Sequence, residues 1–196
     1  RKKDVRRNHY VASFLDNLVL SRLDKQQWQA ITKEFAEQLT DEVVSESFAS
    51  IPTELRKDYK RDAEVLLNRK KDLLNTSDFL FHLVNEHLLI LCSEEKDSIS
   101  VVTTNGHTRI EVYSENKDGQ VIKYERTISE GNVKDIWIYA LEGDDIIEVT
   151  GEKIPMQIRY VPGYGDDAYR INEKSKSRVK IYEVLDRENG NSSNSN

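Results

Sequence analysis

The chain has 196 residues, enough for one large domain or two small ones, and carries a net charge of −6. Charged residues make up 33 % of it and mean hydropathy is −0.68, yet a hydrophobic content of 37 % still allows a modest core. No apolar run approaches the roughly 18 residues that a membrane-crossing helix needs, so none is expected.

The sequence opens on RKKDVRRNHY, with neither Met nor an apolar h-region, so no signal peptide is expected and the chain reads as a piece of a longer protein. Arg1, Lys2, Lys3, Arg6 and Arg7 read as a solvated basic end. A short helix is expected around residues 8–22. Trp28, Ile31, Phe35 and Leu39 step by three and four and so share one helix face, with Asp24 as N-cap and Gln27 closing a capping box. A new helix starts at Thr40, Asp41 and Glu42, carries Val43, Val44 and Phe48, and stops at Pro52. A third is carried by Leu55, Tyr59, Ala63, Leu66 and Leu73, its outer face being the mixed-charge string RKDYKRD. A fourth follows the loop NTSD, with Leu80, Leu83, Val84, His87 and Leu91 on one side. Cys92 is the sole cysteine, which excludes an internal disulfide, and after LLIL it reads as a small buried hydrophobe.

The pattern changes period near residue 93. Asn105-Gly106 between SISVVTT and TRIEVYS is a hairpin signal, because both residues tolerate positive φ. Lys117-Asp118-Gly119 then leads into VIKYERT, giving a three-strand meander in which Ile110 and Val112 alternate with charged neighbours. DIWIYAL is apolar on both faces and reads as an interior strand; IIEV, MQIRYV, AYRI and RVKIYEV follow as short strands. The fold expected is therefore α+β: an N-terminal helical bundle over 1–92, then a small all-β unit over 93–185. Within the latter a meander runs into short β-solenoid or RTX-like turns, with a sandwich as the open alternative. Residues 186–196, DRENGNSSNSN, read as a disordered tail or linker.

Two segments share a Gly-Asp-Asp turn between β-forming residues: IYALEGDDIIEV, 138–149, and RYVPGYGDDAYRI, 159–171. Gly143, Gly163 and Gly165 suit positive φ, and an aspartate after them can accept backbone N–H groups and lock the turn. That structural role accounts for the pattern. The alternative is calcium: stacked G-G-x-G-x-D turns chelate the ion through Asp carboxylates and Gly carbonyls. PGYGDDAYR fits that repeat with Pro162 for the first glycine, and ALEGDDIIE fits it at Gly143, Asp145 and Ile147. If the turns stack, Asp144, Asp145, Asp166 and Asp167 crowd four carboxylates together; these are the candidate calcium ligands, and calcium is the one candidate cofactor.

No catalytic constellation stands out. The histidines are His9, His82, His87 and His107. His82 and His87 are five apart and cannot share a metal as an i,i+4 pair does. His87 reads as a core histidine and His107 as an exposed hairpin residue. There is no HExxH, no G-x-S-x-G and no Walker loop. Residues 1–92 balance 15 basic against 15 acidic side chains, whereas 93–196 hold 14 against 20. That acidic second half repels phosphate backbones, so no nucleic-acid partner is expected.

The order of segments carries a resemblance. RLDKQQWQAITKEFAEQLTDEVVSESFASIPTEL, a charged helix, a β meander, then IWIYALEGDDIIEVTG and IRYVPGYGDDAYRI are similar to a region of large bacterial cell-envelope proteins. Those proteins begin with a calcineurin-like metallophosphoesterase domain and end in a surface-antigen-type outer-membrane β-barrel; the region lies between the two. The resemblance covers roughly residues 10 to 184, with Thr40 to Val43 and the two Gly-Asp-Asp segments its most specific parts. The phosphoesterase motifs G-D-x-x-D and G-N-H do not occur, so no catalytic residue transfers, and no series of long amphipathic strands follows residue 185. The resemblance implies a non-catalytic accessory module on the periplasmic or extracellular side of a cell envelope. It would link or present neighbouring domains of its parent, with another envelope protein as a further partner and no membrane insertion of its own. A calcium-binding β-roll-like module and a hydrolase with an unrecognised site are the alternatives.

Overall fold

Residues 2–52, 54, 59–116, 119–129, 131 and 133–182 are described by the computed structural model. The fold is mixed α+β, and the chain divides into two units, one of residues 1–16 and 23–85, the other of 17–22 and 86–196.

The helices are α1 (Lys2–Leu20), α2 (Lys25–Gln38), α3 (Asp41–Ala49), α4 (Tyr59–Lys70) and α5 (Leu73–Asn85). Their starts follow the capping chemistry. Asp24 Oδ1 accepts the Gln27 N–H at 2.7 Å, and Gln27 Oε1 accepts the Asp24 N–H at 3.0 Å, a complete capping box. Thr40 Oγ1 accepts the Val43 N–H at 3.2 Å at the head of α3. In the first unit α2 packs on α5 and α3 on α4. The Trp28 ring meets Phe81 edge-on at 5.5 Å, and its Nε1 donates to Ser77 Oγ at 2.8 Å, so the indole is buried with its one donor satisfied. Ile31 and Phe35, expected on the buried stripe with Trp28, are instead each 54 % exposed, because the α5 contact covers only the Trp28 side of α2.

The segment before Cys92 differs from the helical expectation. NTSD lies inside α5, Leu73 opens that helix, and the helix ends at Asn85 rather than running on to Leu91. His87–Leu91 are strand β1. The apolar run LLIL satisfies a helical stripe and a strand equally well over so short a stretch. Its partner strand decides: Leu88 and Ile90 point inward and are buried, and β1 pairs in parallel along its whole length. Leu55, the start of the RKDYKRD string, Lys117-Asp118 and the tail 186–196 lie outside the described residues.

The remaining strands are β2 (Asp97–Thr104), β3 (His107–Asn116), β4 (Gly119–Ser129), β5 (Asp135–Tyr139), β6 (Ile146–Gly151), β7 (Gln157–Val161), β8 (Ala168–Ile171) and β9 (Val179–Ile181). They form two sheets. One is parallel, in the order β1-β5-β7-β9; the other is mixed, in the order β4-β3-β2-β6-β8. Asn105 (φ 52°) and Gly106 (φ 76°) make the two-residue turn of the β2–β3 hairpin. β2, β6 and β8 run parallel to one another.

The register is periodic. Asp135 faces Gln157 and Ile146 faces Ala168 across the same interval of sequence, and Ile158 faces Val179 across one only slightly shorter. The step before these is longer, from His87 to Asp135 in one sheet and from Ser98 to Ile146 in the other, because the β3–β4 hairpin is inserted in it. After β1, β5 and β7 of the parallel sheet the chain crosses to the mixed sheet, returns, and lands one strand along. Alternate residues from both sheets meet in one core: Leu88, Ile99, Ile110, Ile136, Ile138, Ile147, Val149, Ile158 and their neighbours, nearly all with no exposed surface. Each such aliphatic side chain contributes about 1.5–3 kcal/mol of burial free energy.

Candidate functional site

The two Gly-Asp-Asp turns occupy equivalent crossings between the sheets. Tyr164 N–H donates to Leu141 O and Gly143 N–H to Tyr164 O, both at 3.0 Å, so one turn lies directly on the other. The contact is too close for side chains. A Cβ on Gly163 would stand 1.9 Å from Leu141 O, and one on Gly165, at φ 147°, 1.9 Å from Gly143 O. Glycine is required there by both space and backbone.

The stacked turns bring Asp145 and Asp167 together, and Asp144 and Asp166 together. Asp167 Oδ1 accepts the Asp145 N–H at 2.9 Å, and Asp144 Oδ1 accepts the Asp166 N–H at 2.9 Å. A third aspartate, Asp97, belongs to the same line: its N–H donates to Asp145 Oδ1 at 2.7 Å. Asp97 Oδ2 accepts the Ser93 N–H at 2.6 Å and the Ser93 hydroxyl at 3.0 Å. Asp97 was not singled out from the sequence. The signal was available: Asp97-Ser98-Ile99-Ser100-Val101, Asp145-Ile146-Ile147-Glu148-Val149 and Asp167-Ala168-Tyr169-Arg170-Ile171 share an aspartate followed by alternate β-forming residues.

Burial sets the electrostatics. Asp97 and Asp145 have no exposed surface, and among the described residues Asp97 Oδ1 and Asp145 Oδ2 have no hydrogen-bond partner. Loss of solvent pushes the Asp145 carboxyl up to about 7; the Asp97 N–H opposes this, and the charges of Asp167, Asp97 and Asp144 add to it. Asp167 is raised for the same first reason, with Asp144 and Asp166 adding and the Asp145 N–H opposing. The buried hydroxyl of Tyr160, which also lacks a partner, is driven up by burial and then by Asp167, Asp145 and Cys92. The half-buried Cys92 thiol is raised by burial, then by Asp97 and Asp145, which disfavours the reactive thiolate. Asp144 and Asp166 are exposed. The four candidate calcium ligands thus divide into an inner pair, Asp145 and Asp167, both of whose carboxylates accept a backbone amide, and an outer pair in which the Asp144 carboxylate does so. Among the described residues no group of three or more His, Cys, Asp or Glu side chains is placed to hold a metal ion.

The histidines are scattered. His9 Nδ1 lies 2.9 Å from Asp16 Oδ2, His82 Nε2 lies 3.5 Å from Asp78, and His107 Nδ1 lies 3.4 Å from Ser129 Oγ. His87, expected in a helical core, is instead about half exposed on the outer face of the parallel sheet, 2.8 Å from Asp135. Asp135 also lies 3.6 Å from Arg159 Nε, and the Arg159 guanidinium sits over the Trp137 ring at 5.1 Å. Tyr139 and Tyr182 stack on that indole, so the ring faces on this sheet are covered by one another. In the first unit a cavity of about 250 Å³ between α2 and α5 is lined by Trp28, Thr32, Leu74, Ser77 and Asp78. Comparison with protein-family models, with curated proteins and with solved structures finds no match to this chain.

Proposed function

We propose that this chain is a non-catalytic scaffold module of a larger cell-envelope protein, holding neighbouring domains at a fixed separation. In this reading the two sheets are the two faces of a short β-solenoid whose successive coils each add a strand to both faces, and the helices form a small bundle of their own. The observation that carries it is the use made of the acidic turns: in both the inner and the outer pair a carboxylate is bonded to the backbone of the neighbouring turn, 22 residues away. Carboxylates employed in that way lock turn to turn and leave the sheet faces as rigid surfaces. The resemblance to the region between a metallophosphoesterase and an outer-membrane barrel supports the periplasmic or extracellular setting. A screen of the purified chain against phosphate mono- and diesters and carboxylic esters, with and without divalent metals, tests it. No turnover is expected. Turnover abolished by Asp145→Asn and Asp167→Asn transfers the function to the hydrolase alternative.

A calcium-dependent β module is the second reading, favoured by the buried and unpartnered Asp97 Oδ1 and Asp145 Oδ2. It requires the melting temperature to rise with millimolar calcium and to fall with EDTA. The scaffold reading requires it to stay put.

A further inference from the structure

The cavity between α2 and α5 has a chemistry of its own. Its rim is Gln29, Lys33 and Leu74, all exposed, and its interior is Trp28, Thr32, Ser77 and Asp78. Helix geometry brings these together. Trp28 and Thr32 stand one turn apart on α2, and Leu74, Ser77 and Asp78 span one turn of α5, so each set lies on a single helix face. The contact of Trp28 with Phe81 and Ser77 fixes how the two faces meet.

Three hydrogen bonds run through the interior in one direction. Trp28 Nε1 donates to Ser77 Oγ at 2.8 Å, and Thr32 Oγ1 donates to the Trp28 carbonyl at 2.8 Å. Thr32 has a single hydroxyl proton, which that bond uses. In the 2.7 Å contact between the two hydroxyls, Ser77 is therefore the donor and Thr32 the acceptor. Every side-chain donor of the interior is thus spent within the protein. What the interior has left is acceptor capacity: a second lone pair on Ser77 Oγ, another on Thr32 Oγ1, and the Asp78 carboxylate, which Lys25 and His82 approach only to 3.5 Å.

We propose that this cavity binds a small planar aromatic molecule carrying a single N–H or O–H donor. The Trp28 indole and the Leu74 side chain supply apolar surface for the ring, and the acceptors of Ser77, Thr32 and Asp78 take the donor. A ring of the same shape with an acceptor in place of its donor meets only lone pairs there. The site disfavours it, because the polar groups opposite lose water without gaining a partner. The site lies wholly in the first unit, and neither the acidic turns nor the two sheets enter into it.

The experiment follows the indole N–H resonances of the isotopically labelled full chain. Trp28 and Trp137 are its two tryptophans, so Trp137→Phe assigns the Trp28 signal. Unlabelled indole is titrated in, and separately benzofuran, the same ring system with oxygen in place of the N–H. Indole is expected to shift the Trp28 signal saturably with Kd of about 0.1–1 mM, the range for a ligand of so few atoms. Benzofuran binds about tenfold more weakly, the worth of one hydrogen bond. Thr32→Val takes the acceptor away from Ser77, whose proton then turns to the cavity. The preference for indole falls away while the circular dichroism spectrum is unchanged. Leu74→Ala, at a position 58 % exposed, weakens both ligands alike. No saturable shift up to the solubility limit of indole, or equal affinity for the two rings, overturns the proposal. So does an unaltered preference in Thr32→Val or unaltered binding in Leu74→Ala, since either places the ligand elsewhere.

Discussion

The Asp97 N–H and the Asp145 carboxylate meet at 2.7 Å although 48 residues separate them. Asp145 in turn gives its own N–H to Asp167, so one buried residue ties together three levels of the stack. Its second carboxylate oxygen is buried with no hydrogen-bond partner among the described residues, and a charge there is shut off from bulk solvent.

The first prediction concerns pH. The Asp145 carboxyl rises from 3.8 to about 7 on folding, so the folded chain holds this proton more tightly than the unfolded chain does. The stability it confers is present in full below about pH 4 and is lost as pH climbs through about 7. Thermal unfolding is therefore expected at lower temperature at pH 7.5 than at pH 5, the difference attributable to this group being about 2 kcal/mol once neighbouring carboxylates share the titration. Asp145→Asn, which keeps a carbonyl for the Asp97 N–H and adds a donor, flattens that slope. Equal slopes in both proteins assign the pH dependence elsewhere.

Asp145→Ala is a different perturbation. It strands the Asp97 N–H in a dry site, and a loss of about 1–3 kcal/mol is expected in urea unfolding at pH 5, where Asp145→Asn is close to neutral.

Gly165→Ala drives a Cβ to 1.9 Å from Gly143 O, and the backbone of two turns must separate to admit it. A loss of about 3 kcal/mol or more is expected in the β unit. Gly131→Ala is the control, since Gly131 also has positive φ (89°) but nothing within 4 Å of the added carbon; it loses about 1 kcal/mol.

Ile138→Ala removes a side chain with no exposed surface from the middle of the parallel sheet and is expected to lose about 2–5 kcal/mol. Ile122→Ala, at a position 51 % exposed on β4, changes stability by less than about 0.5 kcal/mol.

The Cys92 thiol gives a readout of the same unit. Burial and the nearby Asp97 and Asp145 disfavour its thiolate, so a disulfide reagent at pH 8 is expected to label the native chain far more slowly than the urea-unfolded chain. Rapid native labelling means that the crossing after β1 opens readily.

What was legible in the sequence was local. The capping box at Asp24, the start at Thr40 and the hairpin at Asn105-Gly106 each depend on near neighbours in the chain. β1 was not legible, because its identity as a strand depends on Ile136 and Ile138, which lie far downstream beyond the inserted hairpin. The same distance hid Asp97. The interval between Asp145 and Asp167 is regular, but the inserted hairpin breaks the spacing one step earlier, and the eye looking for a period stops there. The exposure of Ile31 and Phe35 was equally out of reach, since a helical stripe says which residues share a face and not whether a neighbour covers it.

The inserted hairpin also bears on the order of assembly. Joining β1 to β5 across the full inserted length costs about 0.7 kcal/mol more chain entropy than joining strands at the later, shorter interval. Antiparallel pairing of β3 with β4, from His107 opposite Ser129 to Asn116 opposite Gly119, is local in sequence and forms within about microseconds, and once it has zipped the remaining gap approaches the later ones. The excursion that interrupts the period thus acts as a shortcut, and mutations in its turn are expected to slow folding more than they lower final stability.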